Sequence, residues 1–275
     1  MSSPVFTPPA APAAPAAPAA PAAAARPDDS LGLDRAFLVQ MARMPLLAVA
    51  WVVAAVVAHH AWAALRPTGL NAGPLVVVCA GMILAAVIDG WALKVPNWIT
   101  LPLILSGWAL GALHDCGVPA DAGTGGLGKA VACTFVGYIL LFPMLAIGGV
   151  GVGDVKMQMG FGAWVGAYFG DGATTEVLDG LRLDGVGVVF WAFCFGAIAG
   201  GLFGMVIILM RRRFGDNAGI VREIVADLQL FGTGRVSTAS KRAHDRRSRW
   251  VKLPYGIPLC VGFIMYLLYM LVLMA

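Results

Sequence analysis

The chain has 275 residues, of which 59% are hydrophobic and only 12% charged, with a mean hydropathy of +0.81. A soluble domain carries about 25% charged residues, so this composition excludes a water-facing globule and defines an integral membrane protein. The net charge of +4 is read as basic anchoring beside the membrane and not as nucleic-acid binding. Apolar runs of about 16–24 residues suit helices across a hydrocarbon core of about 30 Å, whereas barrel strands would alternate over about 10 residues. The expected architecture is therefore an all-α polytopic membrane bundle of about seven transmembrane helices, each satisfying its own backbone.

Residues 1–29 form an Ala/Pro-rich tail, and recurring proline favours an extended, disordered, solvated segment over a helix. It lacks the basic and apolar regions of a signal peptide. The remainder, 30–275, is read as the membrane domain. Over 30–44, Ser30 is a candidate N-cap, and Leu33, Phe37 and Met41 recur every four residues. A short amphipathic helix on the membrane surface is expected there. The first span follows over 45–65, with the adjacent His59 and His60 near its end. Neighbouring helical residues point in different directions, so the two are read as interfacial side chains and not as a metal pair.

The second span, 74–91, carries Asp89 near its end. A linker containing Lys94, Val95, Pro96 and Asn97 leads into the third span, 97–113, where Trp98 suits headgroup depth. His114 and Asp115 open a polar loop. The fourth span, 129–149, runs into Gly148-Gly149-Val150-Gly151-Val152-Gly153-Asp154-Val155-Lys156, which puts a second carboxylate into a glycine-rich break. The fifth span, 156–170, is short; Gly162 and Gly166 are spaced for close helix contact. An acidic loop over 171–186 precedes the sixth span, 187–210, where Gly196, Gly200 and Gly204 form another packing face. Residues 211–253 form a basic loop in which Ile220, Val221, Ile224, Val225, Leu228 and Phe231 repeat with helical period, as in a helix against anionic headgroups. The last span is 254–274, and Pro258 is expected to kink it. Five scattered cysteines form no C-x-x-C pair, so neither a zinc site nor a thiol redox motif is expected.

Seven spans place the loops at 1–44, 92–96, 150–156 and 211–253 on one side. All of the 19 Lys and Arg residues lie on that side except Arg66, Lys129 and Arg182. The positive-inside rule makes it cytoplasmic and brings Asp89 and Asp154 to the same face. Carboxylates at membrane depth are costly and often functional. Glycines 151 and 153 can take positive φ and let another chain approach. Two aspartates sharing one proton could activate water with the ionised member and protonate a leaving nitrogen with the other. Two other readings stay open. Each acid could be structural, Asp154 pairing with Lys156 or capping the fifth span, or the acids could serve a proton-coupled transporter.

Asp89 followed by Lys94-Val95-Pro96-Asn97-Trp98 resembles the first aspartate block of the type IV prepilin peptidases. Gly151-Val152-Gly153-Asp154-Val155-Lys156 resembles their G-x-G-D-x-K block, and Pro254-Tyr255-Gly256 resembles the opening of the last helix in the short form that serves Flp-type pili. The resemblance implies a membrane aspartic endopeptidase of the bacterial inner membrane, removing short basic leaders from prepilins or pseudopilins at the cytoplasmic face. It implies Asp89 and Asp154 as the catalytic pair, with Lys94, Pro96, Asn97, Gly151, Gly153 and Lys156 shaping the site or binding substrate. No metal and no cofactor are expected. The partners expected are the prepilin and membrane lipids, not nucleic acid. The bifunctional members carry paired C-x-x-C motifs in a further domain; without them, cleavage without N-methylation is expected.

Overall fold

Small residues decide which helix goes to the centre. The computed structural model describes residues 35–66, 71–118, 124–169, 184–211 and 255–273, with positions 226, 229 and 233. These form seven helices: α1 (Arg35–Leu65), α2 (Gly73–Ala92), α3 (Asn97–Asp115), α4 (Leu127–Ala146), α5 (Val152–Phe169), α6 (Gly185–Arg211) and α7 (Gly256–Leu273). No strand occurs among the described residues, as the apolar pattern required. The chain divides into two units, 1–39 and 40–275. Of the first, only the opening residues of α1 are described, and the site lies wholly in the second.

Among the described residues, four helices are long and apolar enough to cross a membrane, at Met41–Leu65, Gly73–Ala92, Leu127–Ala146 and Gly185–Val206, and α7 is a shorter apolar helix. Helix α5 is a different kind of element. It is dense in glycine and carries Asp154, Lys156 and Gln158, yet 14 of its 18 residues are buried. It packs chiefly on α3 and α4 and also touches α2, α6 and α7. A helix enclosed by others needs small side chains for close approach more than a greasy exterior. A methyl group on Gly166 would stand 2.5 Å from the Lys129 carbonyl oxygen, and one on Gly162 would meet the Cys133 carbonyl, so the expected small-residue seam is the α4–α5 contact. On another face of the helix, Phe161 stacks on Phe263 of α7 with ring centroids 4.2 Å apart.

Polar groups within the bundle are tied down. The Trp164 indole N–H donates to the Leu103 carbonyl at 2.9 Å and to Ser106 Oγ at 3.0 Å, fixing α5 to α3. Trp108 donates to Thr134 at 3.0 Å, fixing α3 to α4. In contrast, Leu46, Val49, Val53 and Val57 form an exposed stripe on α1, as a lipid-facing surface should.

Three expectations change. No separate surface helix occupies the described part of 30–44. Helical backbone runs from Arg35 through Pro45 to Leu65, although an interior proline removes one internal hydrogen bond and crowds the carbonyl four residues back, at about 3 kcal/mol. Residues 30–34, the tail, most of the acidic loop and nearly all of the basic loop lie outside the described residues. Pro258 is not inside a helix that began at 254. It falls in the first turn of α7, where a missing N–H leaves no internal bond unmade, so no kink is called for. The third change, at the start of α5, belongs to the site.

The α6–α7 seam gives a stability test. A methyl group on Gly262 would run into the backbone nitrogen and Cα of Gly196, atoms that no side-chain rotation can move. Gly262→Ala is expected to destabilise the bundle by about 1–3 kcal/mol, read as a lower midpoint in a detergent melt.

Candidate active site

Helix α5 starts at Val152, four residues earlier than the apolar pattern indicates, so Asp154 lies in its first turn and not in an open glycine break. Its carboxylate causes the early start. Asp154 Oδ2 accepts the Gly151 N–H at 3.1 Å, the reach-back half of a capping box, and stabilises the positive end of the helix. Gly151 and Gly153 are not among the positive-φ residues; the glycine that turns the chain there is Gly148, with φ 75°. Asp154 is 5% exposed, and its Oδ1 is buried without a hydrogen-bond partner among the described residues.

Asp89 occupies the last turn of α2 and is 4% exposed. Its Oδ2 accepts the Gly256 N–H at 2.9 Å, a contact spanning 167 residues of sequence. A methyl group on Gly256 would stand 2.9 Å from that oxygen, so only glycine lets the start of α7 come this close. The neighbouring Tyr255 hydroxyl lies in electrostatic reach of Asp154, and Asp154 lies in electrostatic reach of Asp89. The two acids therefore belong to one buried site at the meeting point of α2, α5 and α7.

The linker after Asp89 sets this meeting. Leu93 ends α2 in the left-handed region at φ 52°, its N–H bonded to the Asp89 carbonyl at 2.8 Å. That conformation costs a non-glycine residue roughly 1–2 kcal/mol, and it turns the chain sharply enough for α3 to begin at Asn97. Pro96 takes the N-cap position of α3 with φ −77°. Lys94 is exposed, whereas Val95 is buried and seats against Gly153, where a methyl group would lie 2.9 Å from Val95 Cβ and 3.1 Å from its nitrogen. The Lys156 ammonium donates to Asn97 Oδ1 at 2.9 Å. Asp154 is thus not the partner of Lys156 in this geometry; the lysine ties α5 to the start of α3. Lys156→Met should cost about 1 kcal/mol of stability and reduce turnover without abolishing it, as a kinetic assay beside a thermal melt would show.

Of the residues expected from sequence, Asp89, Asp154, Gly151, Gly153, Pro96, Asn97 and Lys156 come together through these contacts, and Lys94 stays on the exposed side of the linker. Val95, Tyr255 and Gly256 also build the site. The Pro-Tyr-Gly block was the signal for the last two, and nothing local marked Val95. Trp91 and Trp98 are exposed beside the site, as aromatic residues at a membrane interface are. Among the described residues no cluster of His, Cys, Asp or Glu has the make-up of a metal site.

Two carboxylates buried at one end of a helical membrane bundle, each holding a single backbone N–H, define a membrane-embedded diacid site. The profile of the type IV leader peptidase family matches residues 76–214, half of the chain and a stretch that contains both acids. The chain belongs to that family, which makes it a membrane peptidase of the leader-removing class and favours this reading over the transporter. No curated protein and no solved structure gives a significant match.

Proposed function

We propose that this protein is an aspartic endopeptidase that removes the short basic leader from Flp-type prepilins or pseudopilins, with Asp89 and Asp154 as the catalytic pair. The observation that carries the reading is the pairing itself: two buried carboxylates in electrostatic reach, each with one oxygen held by a backbone N–H. These contacts fix the carboxylate planes, and each carboxylate oxygen keeps a lone pair for chemistry. The ionised member takes a proton from water as its oxygen attacks the scissile carbonyl. The protonated member hydrogen-bonds the carbonyl oxygen, which becomes a hydroxyl as the tetrahedral intermediate forms. Collapse of that intermediate breaks the C–N bond, and the nitrogen leaves with a proton from the pair. Gly151, Gly153, Pro96, Asn97 and Lys156 shape the floor on which an extended leader docks, and Lys94 stands exposed at its edge.

The site faces the cytoplasm of the bacterial inner membrane in this reading, supported by the side on which the basic residues collect. The product keeps an unmethylated N-terminus, since the chain has no C-x-x-C pair of the kind found in the bifunctional enzymes. Co-expression with a candidate Flp-type prepilin tests the reading. The expected product starts at the leader boundary with a free, unmethylated amine by mass spectrometry. Unprocessed prepilin beside a folded, membrane-inserted protein would refute it.

A further inference from the structure

One buried group beside the diacid is unused by the reading above. Gln158 is completely buried, and both its Oε1 and Nε2 lack a hydrogen-bond partner among the described residues. An amide left unpaired inside a protein costs about 1–3 kcal/mol, and apolar side chains of equal length exist. The only other buried carboxylate or amide oxygen without a partner among the described residues is Asp154 Oδ1. The two residues stand four apart on α5, on one face, and a helical side chain leans toward the N-terminus, here toward Asp154. The seam with α4 holds Gln158 from behind: a methyl group on Gly137 would stand 3.2 Å from its Cγ and 2.9 Å from its carbonyl oxygen.

We infer that the Gln158 amide is a positioning residue for Asp154, held to Oδ1 through a buried water bound between the two side chains. A water there has the carboxylate oxygen as acceptor and both ends of the amide as partners, which meets the two to four polar contacts a buried water needs. With Oδ2 on the Gly151 N–H and Oδ1 on this bridge, the carboxylate plane is fixed from both sides. Misplacing a reacting group by about 1 Å costs about 10²-fold in rate.

The inference rests on Asp154 being catalytic, and the test separates the two claims. Gln158→Met keeps length and removes the amide; Gln158→Leu is the second variant should the first not fold. Either is expected to lower kcat by about 10²-fold with KM unchanged, because Gln158 is fully buried and orients the carboxylate. A thermal double-mutant cycle with Asp154→Asn supplies a readout independent of cleavage: the two substitutions are expected to shift the melting midpoint non-additively. Wild-type kcat in a folded Gln158 variant, or strictly additive midpoint shifts, would overturn the inference. Cleavage surviving in Asp154→Asn would instead sink the catalytic assignment, leaving the thermal cycle to decide whether the two residues are coupled.

Discussion

Asp89→Asn and Asp154→Asn are each expected to lower leader cleavage by about 10³-fold or more, and the double variant is expected to lose little beyond either single one. A positioned acid or base contributes about 10²–10⁴-fold, and groups that act as one unit lose nearly everything when either is removed. Asparagine keeps the shape of the side chain and can still accept the N–H of Gly256 or Gly151 through its carbonyl oxygen, so the backbone contacts at 2.9 and 3.1 Å survive. The melting midpoint should then stay near wild type or rise, because a buried carboxylate has been replaced by a neutral amide. Kinetics and melts on the same samples check both halves. Two independent, multiplicative losses would mean that the acids do not share one transition state.

The second large effect is expected at Gly153. Its missing side chain is what seats the linker carrying Asp89 on the helix carrying Asp154. In Gly153→Ala the new methyl group meets Val95 Cβ at 2.9 Å and the Val95 nitrogen at 3.1 Å. Backbone cannot swing away as a side chain can, so the linker must lift. Overpacking of this kind costs about 1–3 kcal/mol. Misplacing reacting groups by about 1 Å costs about 10²-fold in rate. The activity loss should therefore exceed what the fall in folded fraction explains, measured as turnover per folded molecule. Gly151→Ala is the contrast. A methyl group there lies 3.2 Å from Asp154 Oδ2, the end of a side chain that can adjust, and the loss should be smaller.

The comparison of those two glycines also shows what the sequence could and could not reveal. Composition was enough for a helical membrane protein, and an acid at the end of one apolar run with another between two more was enough to single out Asp89 and Asp154. Loop parity put both at one face with no distance information. The start of α5 was not legible, because the cue lies in a side chain bonding three residues back to the Gly151 N–H, whereas hydropathy sees only glycines and an acid. The Pro-Tyr-Gly block singles out Gly256, but not its contact, because the partner lies 167 residues away. Helix α5 reads as a short, glycine-rich span for the same reason that it is the centre. Enclosure by five neighbours favours small residues, and small residues lower the hydropathy by which spans are found. Gln158 is not legible in the sequence, because a single amide in a glycine-rich helix carries no periodic signal.

The most direct test of the account is cleavage of a prepilin with a basic leader by the purified protein alone, reconstituted in lipid with a chelator present. The wild-type protein is expected to yield free leader and mature pilin, and folded Asp89→Asn and Asp154→Asn are expected to leave the prepilin whole. Intact prepilin with the folded wild type, or equal cleavage by either variant, would contradict the claim that these two acids form the hydrolytic site.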